Sequence, residues 1–151
     1  MHDTPIRVDH VGIAVPSVAD AEPTLLALGA EPLHEEPIEE LTWAYYALGG
    51  ASRIELIEPR GEDSFLADYL EREGPGLHHV TLEVADIDAV IAGLEAAGLT
   101  VVDRAVRDGW TEAFVSPRNP TGALFQLMEY HDDFDDGRPD GLYVGGERVD
   151  R

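Results

Sequence analysis

The 151-residue chain has no cysteine and no lysine; its ten basic residues are all arginines. Without cysteine there is no disulfide, no thiolate metal ligand and no cysteine nucleophile. Without lysine there is no Schiff-base chemistry, no lysine general base and no P-loop lysine. Basic charge of any kind is scarce: ten residues stand against 31 Asp and Glu, for a formal net charge of -21. Such a field repels phosphate backbones and anionic lipid surfaces, so neither nucleic acid nor a membrane is an expected partner. No apolar run approaches the about 20 residues that span a bilayer. Met1-His2-Asp3 does not open like a signal peptide, so a cytoplasmic location is expected. What the chain does have is 44% hydrophobic residues, enough to build a packed core in one domain of this length. The carboxylate excess suits a protein hydrated in concentrated salt, where the Debye length at 1 M falls to about 3 Å and like-charge repulsion is screened. A halophilic source is the expectation, with an acidic protein from an arginine-favouring genome as the alternative.

An internal repeat organises the chain. Asp9-His10-Val11-Gly12-Ile13-Ala14-Val15 resembles His78-His79-Val80-Thr81-Leu82-Glu83-Val84, with His10 and His79 separated by 69 positions. The same offset carries Val18 onto Ile87, Leu25 onto Leu94, Gly29 onto Gly98 and Tyr45 onto Phe114. With a slip of two, Ile54-Glu55-Leu56-Ile57-Glu58-Pro59 meets Phe125-Gln126-Leu127-Met128-Glu129-Tyr130. Each copy reads as β-α-β-β-β. Alternation predicts a strand over Val8–Val15, and helical spacing predicts a helix over Val18–Leu28, short or irregular because of Pro23. Strands are predicted over Trp43–Leu48 and Arg53–Ile57, with Gly49-Gly50 as the turn between them. In the second copy Asp86 caps a helix over Ile87–Ala97, followed by strands over Thr100–Asp103, Thr111–Val115 and Ala123–Glu129. This divides residues 1–130 into a first module over 6–60, a connecting amphipathic helix and linker over 61–76, and a second module over 77–130. Residues 131–151 read as an acidic tail on the surface or without structure.

Strand parity then singles out four polar side chains. A half-buried strand turns one face to its helix. The other face of these strands carries His10, Glu55, His79 and Gln126, at matching places in the two modules. Two imidazoles, a carboxylate and an amide oxygen form a donor set suited to Zn, Co, Ni, Mn or Fe. A lone strand histidine is more often structural; it is the repetition of the pattern that points to a metal. His78 faces away from His79 and reads as structural or as a support to the residues at the metal. His2, His34 and His131 read as exposed, and His34-Glu35-Glu36 as a solvated acidic patch. Ser64 and Ser116 lack the frame of a nucleophile.

These segments, with Glu62-Asp63-Ser64 through Leu70 and Gly74-Pro75-Gly76-Leu77-His78-His79-Val80, resemble the vicinal oxygen chelate superfamily. That superfamily includes glyoxalase I, extradiol dioxygenases and methylmalonyl-CoA epimerases, and the likeness to the epimerases covers residues from about 6 to 130. It implies an α+β fold of two tandem βαβββ modules forming a half-open barrel around a shared cavity. It also implies a homodimer and a divalent metal held by His10, Glu55, His79 and Gln126. The implied reaction is abstraction of a proton next to a thioester in a small acyl-CoA substrate, with stabilisation of the enolate. Glu55 would be the carboxylate at the ion, and Glu112 and Glu83 are candidates for the second acid or base, a solvated surface carboxylate being the competing account of both. Arg118 is the candidate contact to a substrate carboxylate or CoA phosphate. The chain departs from the epimerase pattern at Gln126, where a glutamate is usual, and at Arg107-Asp108-Gly109-Trp110 and Ser116-Pro117-Arg118. A glyoxalase I-like lyase, an extradiol-type dioxygenase and a non-catalytic binding protein are the alternatives.

Overall fold

A computed structural model describes residues 3–49, 52–131, 142–144 and 147–149. The fold is mixed α+β. Its elements run β1 (Ile6–Ala14), α1 (Val18–Ala27), β2 (Glu31–Pro37), β3 (Leu41–Ala47), β4 (Arg53–Pro59), α2 (Phe65–Glu73), β5 (Gly76–Val84), α3 (Ile87–Ala96), β6 (Val101–Val106), β7 (Trp110–Val115), β8 (Phe125–Tyr130), β9 (Leu142–Val144) and β10 (Glu147–Val149). The β-α-β-β-β order read from the sequence is present in both halves. Two compact units result, one from His10–His78 and one from Met1–Asp9 with His79–Arg151.

In the His10–His78 unit the strands lie in the order β2-β3-β4-β1. β1 runs parallel to β4, with His10 opposite Arg53 and Gly12 opposite Glu55. β3 is antiparallel to β4, with Tyr45 opposite Glu55. Parity sorts the side chains. Ile54 and Leu56 of β4, Ala44 and Tyr46 of β3 and Ile13 of β1 pack with Val18 and Leu25 of α1. The other face buries Ala14, Trp43, Tyr45 and Ile57 against Leu66 of α2. Ser17 and Ser64 start the two helices by accepting from Asp20 N and Ala67 N, satisfying amides that the first turn leaves without partners.

Pro23 does not shorten α1, which continues through it to Ala27. Proline removes a single intrahelical bond, and burial of Val18 and Leu25 holds the turns on either side. One strand of the first copy is expected from the β-α-β-β-β order but has no residues assigned to it from the sequence. β2 pairs with β3 through His34↔Tyr45 and Glu35↔Ala44; the acidic patch is its sequence. Every residue of β2 except Leu33 is exposed, so there is no alternation to detect. Tyr46 is 1% exposed, and its hydroxyl donates to Glu22 Oε1 of α1 at 3.1 Å. Burial first, then the Glu22 bond and the negative charges of Glu22 and Glu35, push its phenol well above the usual tyrosine range.

In the second unit the strands lie in the order β5-β8-β7-β6. β5 is parallel to β8, with Thr81 opposite Gln126, and β7 is antiparallel to β8, with Glu112 opposite Met128. Leu82, Val84, Ala113, Val115, Phe125 and Leu127 form the apolar face with Ile87 and Val90 of α3, and Ile6 joins it. Asp86 caps α3 as expected, accepting from Ala89 N at 3.0 Å. β6 outruns its predicted end at Asp103, reaching Val106. The pairing with β7 shifts between Val102 and Ala105, and Asp103 has φ 55°. A bulge breaks the alternation there, and a short polar side chain tolerates that backbone. His131, expected to be exposed, is half-buried, its Nε2 lying 3.1 Å from Thr111 Oγ1. The tail is not wholly irregular: β9 and β10 form an antiparallel pair. His2, Gly50 and the segment 132–141 lie outside the described residues.

Candidate active site

His10 lies on β1 on the face of Gly12 and Ala14, and Glu55 lies on β4 on the face of Arg53 and Ile57. The parallel register sets these residues side by side. His10 Nε2 is 3.6 Å from Glu55 Oε1, with side-chain exposures of 0% and 10%. That separation exceeds hydrogen-bond range. It is close to the about 3.4 Å between two donors on one tetrahedral ion, so a borderline divalent cation fits this nitrogen–oxygen pair. Gly12, opposite Glu55, brings no side chain to the same face. The Tyr45 ring meets the His10 ring edge-on at 4.9 Å and carries the Arg53 guanidinium 4.2 Å above its centre. Both contacts fix the orientation of groups next to the pair. His78 is held edge-on by Tyr69 of α2 at 4.7 Å, which agrees with a structural role.

In the other unit, His79, Thr81 and Glu83 share the polar face of β5, and Gln126 and Glu112 lie on the corresponding faces of β8 and β7. Gln126 Oε1 accepts from the Thr81 hydroxyl at 2.8 Å, and Gln126 Nε2 donates to Glu112 Oε2 at 3.0 Å. Glu112 also accepts from Arg107 Nε at 2.7 Å and Trp110 Nε1 at 3.2 Å. Glu83 belongs to a separate network. Arg7 Nε donates to Glu83 Oε1 at 3.0 Å and Arg7 Nη2 to Asp9 Oδ1 at 2.8 Å. The Tyr130 hydroxyl donates to Asp9 Oδ2 at 2.8 Å. Glu83 and Asp9 are both 0% exposed.

Neither Glu112 nor Glu83 is the solvated carboxylate that composition favours, since Glu112 too is buried. Both survive burial because cationic or N–H donors surround them. Arg118, by contrast, is exposed in the turn between β7 and β8. Its backbone N–H donates to Ser116 Oγ at 3.2 Å, and it is not gathered with the other candidates. Arg7, Asp9, Thr81, Trp110 and Tyr130 were not singled out from the sequence. The available signal was parity: Arg7 and Asp9 fall on the same side of β1 as Ile13, its apolar side, where charged groups must find partners.

The sequence pattern of the glyoxalase/bleomycin resistance protein/dioxygenase superfamily matches residues 9–114. The Bacillus subtilis protein YqjC is 36% identical over 129 residues, covering 82% of this chain and 91% of its own length. The ethylmalonyl-CoA/methylmalonyl-CoA epimerase of Cereibacter sphaeroides is 35% identical over 131 residues, covering 82% of this chain and 97% of its own. Among solved structures, a variant of the Streptomyces coelicolor methylmalonyl-CoA epimerase in complex with 2-nitronate-propionyl-CoA superimposes with a TM-score of 0.74 at 31% identity, covering 83% of this chain and 98% of its own. With the repeat, the strand order and the His10–Glu55 pair already in hand, the match over residues 9–114 establishes that the chain belongs to the glyoxalase/bleomycin resistance protein/dioxygenase superfamily.

Proposed function

We propose that this enzyme is a divalent-metal-dependent epimerase of the methylmalonyl-CoA type, with His10, Glu55, His79 and Gln126 as the metal-holding residues. The observation that carries the reading is the buried His10–Glu55 pair at 3.6 Å. The epimerase relatives and the acyl-CoA analogue bound to the Streptomyces neighbour support the substrate class. A bound divalent cation supplies Lewis-acid stabilisation of the oxyanion that develops when a thioester α-proton leaves. The protein's own residues do the rest. Glu55, the carboxylate nearest that chemistry, accepts the α-proton at a carboxylate oxygen; solvent returns a proton to the opposite face of the planar enolate, and Glu55 gives up its own to water. The ring contacts of Tyr45 hold His10 and Arg53 in place beside it, and the apolar cluster of Ala14, Trp43, Tyr45, Ile57 and Leu66 keeps water from the strand face beyond. Glu83 is left to the Arg7 ion pair, and Glu112 to the hydrogen bonds of Arg107, Trp110 and Gln126.

The test is exchange of the α-proton of methylmalonyl-CoA with deuterated water, followed by NMR on metal-loaded protein. The wild type is expected to exchange it, and Glu55→Gln to slow exchange by about 100-fold or more. His79→Ala is expected to lower bound metal in elemental analysis while circular dichroism stays native. A metal-loaded wild type that leaves the proton in place sinks the reading. One observation favours a second reading, a non-catalytic binding protein: an amide replaces the usual last-strand carboxylate, and Glu83 and Glu112 are both occupied by donors. Substrate binding without exchange identifies that case.

A further inference from the structure

The hydrogen bonds around Glu112 assign it a task that rests on the metal-dependent reading above. Its side chain is 10% exposed, and its carboxylate accepts from Arg107 Nε, Trp110 Nε1 and Gln126 Nε2. A guanidinium and an indole N–H only donate, so Glu112 is held as an acceptor. The end of the Gln126 amide that faces it is therefore the NH2 group. The opposite end accepts from the Thr81 hydroxyl at 2.8 Å. The direction of the amide thus follows from the chemistry of its neighbours, without any need to distinguish oxygen from nitrogen by shape. Its oxygen is turned toward β5, on the face that Thr81 shares with His79 two residues away. A carboxamide ligates a borderline cation through that oxygen, and an oxygen with two lone pairs can accept from Thr81 and still ligate.

We propose that Glu112 is a positioning residue. It captures the NH2 end of Gln126 so that the amide offers oxygen, and not nitrogen, to a divalent cation on the His79 face of β5. The same contact accounts for the amide itself. A carboxylate at position 126 would stand 3.0 Å from that of Glu112, a like-charge contact that opposes ionisation of both. The negative charge sits on β7 and the neutral ligand on β8.

Titration of the metal-free protein with Co(II), followed by calorimetry, tests this, with thermal midpoints measured in the absence of metal. Trp110 and Gln126 donate to the same oxygen of Glu112, Oε2, so the informative variant is Glu112→Leu, which removes the acceptor altogether and leaves the NH2 end of Gln126 uncaptured. The Co(II) Kd is expected to rise about tenfold or more, the usual consequence of losing a group that orients a ligand. The double variant Glu112→Leu, Gln126→Glu places at 126 a carboxylate with no wrong end, and its Kd is expected to return to the wild-type range. Gln126→Glu alone is expected to melt several degrees below wild type without metal, and the double variant to recover that loss. Thr81→Val leaves the NH2 end captured and is expected to keep the Kd within about threefold of wild type, since Glu112 alone sets the direction. A Glu112→Leu Kd equal to wild type, a double variant that does not recover, or a loss in Thr81→Val as large as in Glu112→Leu overturns the proposal. So does a wild type that binds no Co(II), which overturns the metal-dependent reading with it. Absence of α-proton exchange in a protein that binds Co(II) normally counts against the epimerase alone.

Discussion

Tyr46 and Glu55 show how differently two residues nine positions apart respond to burial. Glu55 lies on the strand face that carries His10, whereas Tyr46 lies on the face packed against α1 and is anchored by Glu22. Because the phenol of Tyr46 is pushed up by burial and by Glu22, the fold favours its neutral form. A raised acid contributes stability that is fully present below its unfolded pKa of about 10 and is lost as pH climbs from there toward the folded value. Urea unfolding at a series of pH values is expected to show no change from this group below about pH 9 and a decline above about pH 10. Tyr46→Phe is expected to lose about 1 kcal/mol at neutral pH with the hydrogen bond, and to have a shallower alkaline decline. Equal alkaline slopes in the two proteins would show that the Glu22 bond does not hold the proton. At this scale much of the site was legible: parity placed His10 and Glu55 on the polar face because each strand's opposite face is visibly apolar. The burial of Glu83 and Glu112 was not legible, because nothing local to either residue announces that Arg7, Arg107 and Trp110 supply its donors from other positions.

Elements are joined by those same ion pairs. Within its unit, Arg7 ties the N-terminal part of β1 to β5 through Glu83, while Asp9 receives Tyr130 of β8. The side chain of Arg7 is 9% exposed and those of Asp9 and Glu83 0%, so Arg7→Met would leave two carboxylates buried without that cation. The expected loss is about 3 kcal/mol or more by urea unfolding. Arg104→Met removes the pair with Asp88, whose side chains are 45% and 73% exposed, and is expected to cost no more than about 1 kcal/mol. Similar losses in the two variants would mean that the buried pairs are not what hold β1 to its neighbours. The elements found from sequence are those with a strong period: β1, β3, β4, β5, β7, β8 and the helices capped by Ser17, Ser64 and Asp86. Those misread have a physical reason. β2 is an edge strand whose polar residues alternate with nothing, and β6 loses its period at the Asp103 bulge. Both pair with a neighbour that only the tertiary fold supplies.

At the scale of the whole molecule, the duplication could be read because one offset recurs at several places, and each copy keeps its helix on one face and its polar residues on the other. Charge obeys no such pattern: 31 acidic residues against ten arginines leave -21 to be accommodated somewhere. Part of that charge is neutralised locally, as at Arg7 with Asp9 and Glu83 or Arg107 with Glu112. Carboxylates without a cation within reach repel one another across the surface, and that repulsion falls on the folded state, because unfolding spreads the charges apart. Salt acts on the two populations unequally. Exposed charges separated by more than a Debye length, about 8 Å at 0.15 M and about 3 Å at 1 M, are screened, while buried pairs are screened much less. Raising KCl from about 0.1 to about 2 M is therefore expected to raise the thermal midpoint, steeply at first and then little once the Debye length falls below the spacing of neighbouring carboxylates. Sucrose over a range that gives the same viscosity carries no counterions and is expected not to reproduce that early rise. A midpoint that stays level or falls with KCl would mean that favourable surface pairs outweigh the repulsion, and that the acidic composition does not tune this protein to concentrated salt.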